Sequence, residues 1–207
     1  MKLDSFWPPR HSYDRALAEW YRRRHTDEPW LTRSSIKLLE DLLRNGDRVI
    51  EWGSGTSTAW VGARVSRLLS VEHDPAWFER VSGELRAAGV SGAEIRLLGI
   101  EPAHDHDATP YVGVVDEFED GSLDVAFIDG EYRSACALRV LPKLASGGVV
   151  VLDDAHNFLD HPSQSPHSRG GRGSLDSGWE RFAGAVSSWR VIWTSDGFSD
   201  TALYFKP

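Results

Sequence analysis

Along most of the chain, short apolar runs alternate with stretches whose apolar residues recur at helical spacing. Leu31, Ile36, Leu39 and Leu43 share one helical face, with Thr32 or Ser34 placed to cap its start and Asn45-Gly46 to end it. The run 48–52 reads as a strand, 57–67 as a helix and 68–72 as a second strand. Pro75 opens a helix at its favoured first turn, with Trp77, Phe78, Val81, Leu85 and Ala88 on one face and Gly89 closing it. Strands follow at 95–100, 123–128 and 149–152, separated by a polar loop (His104, Asp105, His106, Asp107), a short helix at 111–118 and a helix at 132–144. A helix at 178–189 precedes two strands, 190–194 and 202–205, joined through Asp196-Gly197 and therefore paired antiparallel.

Strands alternating with helices of this length imply an α/β fold: a Rossmann-like, mostly parallel seven-stranded sheet with helices on both faces and an antiparallel C-terminal hairpin. Residues 1–46, basic around Arg22, Arg23 and Arg24, read as a helical arm packed on the domain formed by 47–207. The segment 157–177 breaks the rhythm. It is rich in Ser, Gly, Pro, His and Arg, and the expectation is a mobile lid.

Composition narrows the classes. A length of 207 residues fits one domain, and the single cysteine, Cys136, excludes a disulfide scaffold and a cysteine-rich zinc site. No apolar run approaches the ~20 residues of a membrane helix, and the start MKLDSFWPPRHSYD has no signal-peptide stretch, so the expectation is a cytoplasmic protein with no membrane partner. A net charge of −8 argues against bulk nucleic-acid binding and favours a small-molecule partner, with self-association left open. The nine tryptophans read mainly as core fillers, one or two of them lining a ligand site.

The polar residues then fall into a pattern. Glu51, Gly53 and Gly55 follow the first strand, Glu72 and His73 the second, Gly99 and Glu101 the third, Asp129 the fourth, Asp153 and Asp154 the fifth. All sit at carboxyl ends, which share one edge of a doubly wound sheet, where ligands bind. The loop from Glu51 to Thr58, with Ser54 between its glycines, departs from the dinucleotide spacing, because Thr58 stands where a third glycine belongs. Glu51 would also repel a pyrophosphate, so a cationic ligand suits the loop better. Glu72, 19 residues after Gly53, has the spacing of an acid that accepts ribose hydroxyls.

Val49-Ile50-Glu51-Trp52-Gly53-Ser54-Gly55 resembles the first motif of class I S-adenosylmethionine-dependent methyltransferases, and Val71-Glu72-His73-Asp74 the acidic end of their second strand. Phe127-Ile128-Asp129-Gly130 and 147–154 are similar to their fourth- and fifth-strand motifs, in order over about residues 30–207. The resemblance implies that Gly53, Ser54 and Gly55 pack on the methionine part of S-adenosylmethionine, with Glu51 near its amino group, Glu72 on the ribose, His73 against the adenine and Asp129 alongside. It further implies transfer of the methyl group to a small molecule, at oxygen. Asp129, Asp153 and Asp154 resemble the metal ligands of catechol-type O-methyltransferases, which implies a divalent cation, Mg²⁺; the other reading is that Asp153 and Asp154 orient their loop by hydrogen bonds. Where those enzymes carry a basic lysine this chain has Tyr132, followed by Arg133. Asp129, Tyr132, Arg133 and His156 are therefore the candidate catalytic residues, His156 for its pKa near neutrality. The alternatives are an NAD-dependent oxidoreductase on the same sheet and a non-catalytic cofactor-binding protein.

Overall fold

The computed structural model describes residues 9–100 and 109–207, so the run at 104–107, Glu101 and Trp7 lie outside the described residues. One sheet takes the strand order β3-β2-β1-β4-β5-β7-β6, with β1 Arg48–Trp52, β2 Arg67–Glu72, β3 Ala93–Leu97, β4 Leu123–Ile128, β5 Leu144–Leu152, β6 Arg190–Ser195 and β7 Asp200–Phe205. β1 to β5 pair in parallel, while β7 runs antiparallel between β5 and β6. The helices are α1 Pro9–Arg24, α2 Arg33–Leu42, α3 Thr56–Gly62, α4 Pro75–Ala88, α5 Pro110–Gly113, α6 Arg133–Val140 and α7 Ser177–Ala185. The sheet is thus α/β and mostly parallel, with the expected C-terminal hairpin.

Side-chain alternation sends each strand's residues into two apolar layers. Ile50, Trp52, Ala126, Ile128, Val150 and Leu152 pack with Tyr111, Cys136, Val140 and Phe182 of α5, α6 and α7. Val49, Val125, Phe127, Val149 and Val151 pack with Ile36 and Leu39 of α2 and with Trp60 and Val61 of α3. Burial on both faces explains why these strands read as near-continuous apolar runs. The one ionisable residue of β1 outside this logic is Glu51, which shares the second layer and is 1 % exposed.

Local chemistry fixes the helix starts. Thr32, Asp74, Thr109 and Asp176 cap α2, α4, α5 and α7 by accepting from the backbone N–H of Ser35, Trp77, Val112 and Trp179. Several boundaries differ from those read off the sequence. α6 stops at Val140, where a 3-10 turn, Leu141–Lys143, carries Pro142. β5 begins at Leu144, because the strand continues through Gly147-Gly148 with a register shift opposite Leu123 and Val125. β3 spans Ala93–Leu97 and α3 ends at Gly62.

The neighbours β1 and β4 are separated in the chain by β2 and β3. Chain direction across the sheet reverses at this point, so the loops leaving the two carboxyl ends diverge and open a crevice.

Candidate active site

Two glycines bring the walls of the crevice together. Gly53, after β1, has φ +92, and a Cβ there would lie 2.8 Å from Asp129 C and Gly130 N. Conversely, a Cβ on Gly130 would lie 2.0 Å from Tyr111 Oη and 2.8 Å from Gly53 N. Backbone presses on backbone at a distance only glycine permits. Above this contact opens a cleft of about 690 Å³. It gathers Glu51, Gly53, Ser54, Gly55, Glu72, His73, Asp129 and Arg133, with Trp77 on one wall and Trp30 and Leu31 of the arm at another.

Glu51 projects beneath the start of α3. Ser70, its register partner on β2, donates to Oε2 at 2.6 Å, Thr58 donates to the same oxygen at 2.6 Å, and Ser57 donates to Oε1 at 2.5 Å. Burial pushes the carboxyl up to about 7, against the opposing pull of the three hydroxyls. Among the described residues no cationic side chain pairs with it, and Oε1 retains an acceptor position. Sequence reasoning placed Glu51 here but missed the hydroxyl cradle; the available signal was Ser70, a polar residue at an inward position of an otherwise apolar strand.

Glu72, 3 % exposed, is held by backbone. Oε1 accepts from the N–H of His73 at 2.7 Å and of Asp74 at 2.8 Å, and Oε2 from the N–H of Ser54 at 3.2 Å. This ties the end of β2 to the glycine loop. His73 Nδ1 lies 3.1 Å from Glu72 Oε1, an ion-pair distance outside hydrogen-bond geometry, and its ring meets Tyr111 edge-on at 6.1 Å. Trp77 donates its indole N–H to Ser54 O, so it braces the same loop from α4.

At the other end stand Asp129 and Arg133. Arg133 Nη2 donates to Asp129 Oδ1 at 2.8 Å and to Asp129 O at 2.7 Å. Its Nε donates to Gly130 O at 2.9 Å and its Nη1 to Asp153 O at 2.9 Å. Desolvation raises the Asp129 carboxyl above the usual range against the pull of Arg133, and Asp154 adds to the rise. With 42 % of the side chain open to the cleft, water moderates this until a ligand fills the space. Asp153 is 6 % exposed and raised well above its ordinary value by burial and by the two neighbouring acids. Its Oδ1 accepts from Thr201 at 3.0 Å, and Asp154 Oδ1 accepts from Ser199 at 2.7 Å. Asp154 adopts φ +52, a left-handed position that Asp tolerates better than most residues.

These bonds bear on the expected Mg²⁺. Asp153 and Asp154 do not line the cleft, and their Oδ1 atoms take hydroxyls from the β7 side. Among the described residues no group of three or more His, Cys, Asp or Glu is arranged to hold a metal. The residues do not fit the ion, and their hydrogen bonds match the loop-orienting reading of Asp153 and Asp154.

Neither Tyr132 nor His156 lines the cleft. Tyr132, at φ +48 before α6, packs edge-on against Tyr111. His156 sits 3 % exposed in a 3-10 turn, and burial lowers its pKa. The segment 157–177 also lines no part of the cleft. It is closed on itself, Asp160 accepting from the N–H of Gly171 and Gly173, and it is joined to β7 where Ser165 donates to Asp200 at 2.6 Å. The expected lid is therefore not over the cleft; the arm supplies that wall through Trp30, 53 % exposed, and Leu31. The arm is anchored by buried hydroxyls. Thr32 N donates to Thr201 Oγ1 at 3.2 Å, and Thr32 Oγ1 and Ser35 Oγ both bond Thr194 Oγ1.

Residues 50–155 match a protein family described as a methyltransferase domain. No curated protein matches the sequence. Among solved structures, an O-methyltransferase from Bacillus cereus in complex with SAH is 16 % identical, with a TM-score of 0.60 over 98 % of this chain and 94 % of that one. A methyltransferase-like protein from Silicibacter pomeroyi is 19 % identical, TM-score 0.58, over 87 % and 89 %. A putative rRNA methylase from Clostridium thermocellum is 11 % identical, TM-score 0.58, over 84 % and 94 %.

Proposed function

The chain belongs to the methyltransferase-domain family and is an S-adenosylmethionine-dependent methyltransferase, and from that premise we propose that its acceptor is a small molecule methylated at oxygen. The cleft carries the reading. Glu51, Glu72, Asp74, Glu84, Asp129 and Glu131 line it against Arg80 and Arg133, an excess of acid around a glycine loop that suits a cationic ligand and repels a pyrophosphate.

When bound, S-adenosylmethionine supplies an electrophilic methyl group on a sulfonium. Glu51 would hold the ammonium of a bound ligand through the acceptor position left on Oε1. Glu72 would accept from its ribose hydroxyls, and His73 would lie beside its base. Asp129, whose side chain opens onto the cleft, would accept the proton that an acceptor hydroxyl gives up as its oxygen bonds to the methyl carbon and the carbon–sulfur bond breaks to leave S-adenosylhomocysteine. Arg133 fixes the rotamer of that carboxylate. The exposed ring of Trp30 offers a flat face to an aromatic acceptor. No step is assigned to a divalent cation, to Tyr132 or to His156.

Titration with S-adenosylhomocysteine and with NADH tests the cofactor, and tight binding of NADH alone would overturn the reading. Methyl transfer is then followed over a panel of phenols, carboxylic acids, amines and ribosomal RNA. Turnover confined to RNA or to nitrogen would replace the proposed acceptor.

A further inference from the structure

The acids at the ends of β4 and β5 are of the kind that gather round a hard cation, yet a side chain of the chain itself stands among their oxygens. Arg133, in the first turn of α6, reaches back to Asp129 Oδ1 at 2.8 Å, Asp129 O at 2.7 Å, Gly130 O at 2.9 Å and Asp153 O at 2.9 Å. One plane of N–H groups thus spans the gap between the β4 and β5 loops, and the Phe158 ring lies 5.4 Å from the guanidinium carbon. Mg²⁺ demands oxygen ligands at roughly 2.0–2.1 Å in octahedral array, several of them water. An ion on Asp129 Oδ1 that also met the Asp153 loop would have to enter the space the guanidinium fills. One oxygen of each β5 acid is committed as well, Asp153 Oδ1 to Thr201 and Asp154 Oδ1 to Ser199.

We propose that Arg133 is the resident cation of this site, bridging the β4 and β5 loops in place of a divalent metal, so that an acceptor is engaged through one hydroxyl rather than a vicinal pair. A metal collects two acceptor oxygens because its open positions are adjacent. Arg133 has a fixed fork whose N–H groups are nearly all spent on protein oxygens among the described residues, which leaves a single donor on Nη1. The metal half of this inference stands on geometry alone; the acceptor half rests on the methyl-transfer reading above.

Mn²⁺ serves as the probe, read by the paramagnetic resonance signal of the free ion over the full chain. The wild-type protein is expected to leave that signal unchanged. Arg133→Met is expected to bind Mn²⁺ at least about tenfold more tightly than wild type, while Arg133→Lys, which keeps the charge, stays inert. Circular dichroism checks that each variant is folded. Saturable uptake of Mn²⁺ by the wild-type protein that Asp129→Asn removes would overturn the proposal, as would a folded Arg133→Met variant as inert as wild type. If Arg133→Met does not fold, the wild-type titration and the effect of EDTA on methyl transfer decide: activity unchanged in EDTA supports Arg133, and activity lost in EDTA and restored by Mg²⁺ refutes it. In the same assay monohydroxy arenes and catechols are expected to turn over within a few fold of each other, and turnover of catechols alone overturns the single-hydroxyl engagement. Failure to methylate any acceptor would count against the function proposed above and leave the Mn²⁺ result standing.

Discussion

The two ends of the cleft treat their carboxylates in opposite ways. Under the glycine loop, Glu51 is surrounded by three neutral hydroxyls and Glu72 by three backbone N–H groups, and among the described residues no cationic side chain bonds Glu51. Across the Gly53–Gly130 contact, Asp129 is bound to a guanidinium and the β5 acids to the hydroxyls of Ser199 and Thr201. Neutral dipoles hold a carboxylate in place without cancelling its charge, whereas a guanidinium does both. One end is therefore left wanting a cation from a ligand, and the other has its own. The division lets one sheet edge collect five acids without needing two external cations.

The severest way to break the comparison is to push the two ends apart. Gly130→Ala sets a methyl group against Tyr111 Oη, Gly53 N and Trp52 C. Two of those atoms are backbone, so relief by a side-chain swing is incomplete. The expected loss is about 3 kcal/mol, at the upper end for overpacking, read as a lower urea midpoint together with weakened S-adenosylhomocysteine binding. Glu72→Ala comes next. It strips the acceptor from the N–H groups of Ser54, His73 and Asp74, and about 2 kcal/mol of stability is expected to go with these charge-assisted bonds. The Arg133–Asp129 end should stay intact, so Arg133→Lys in that background keeps its own effect unchanged, as additivity of separate sites requires.

Glu51 sharpens the comparison through pH. Its folded value of about 7 lies above the ordinary 4.5, so the folded state holds the proton more tightly. Its contribution to stability is fully present below about pH 4.5, falls as pH rises through 7, and is flat above. A bound ammonium favours the ionised form and reverses this preference. S-adenosylhomocysteine should accordingly bind more tightly as pH rises from 5.5 to 7.5 and release a proton near pH 6, seen as a buffer-dependent binding enthalpy. Glu51→Gln is expected to weaken binding by about tenfold, some 1.4 kcal/mol, and to abolish the buffer dependence without lowering the melting temperature at pH 8. A melting temperature lowered in step with affinity would make Glu51 a structural residue.

Much of the ligand-rich end was legible because its information is local. The glycine loop, Glu51 and Glu72 fall within a few residues of strand ends that hydrophobic alternation marks clearly, and Gly130 follows Asp129 directly. The other end depends on contacts that no spacing displays. Arg133 is four residues from Asp129, but its bond to Asp153 O depends on how far β5 runs beside β4. The three-acid pattern invited a metal because the sequence does not show which donors reach those oxygens. The segment 157–177 looked like a lid because polar composition marks a loop without fixing its place; Asp160 and Ser165 turn it inward and toward β7. Trp30 and Leu31 were read as part of an arm, and their position in the cleft follows from Thr32 bonding Thr201 more than 160 residues away.

That last bond supplies the mildest test, because it joins the arm to the metal-like end alone. Thr201 accepts from Thr32 N and donates to Asp153 Oδ1, so Thr201→Val removes both bonds while keeping the side chain's shape. Asp153 stays protonated more easily than an ordinary acid, being buried beside two others, and a protonated carboxyl tolerates the lost donor better than an ionised one would. The stability loss should therefore be small, about 1 kcal/mol. The effect on function should be lopsided. With the bond to β7 gone, Thr32 is held through Thr194 alone and the wall built by Leu31 and Trp30 loosens, so KM for the acceptor is expected to rise several-fold while the affinity for S-adenosylhomocysteine, whose proposed contacts are Glu51 and Glu72, stays within twofold. Equal losses at both would mean that the two ends of the cleft are one mechanical unit, and the contrast between them would then describe charge alone.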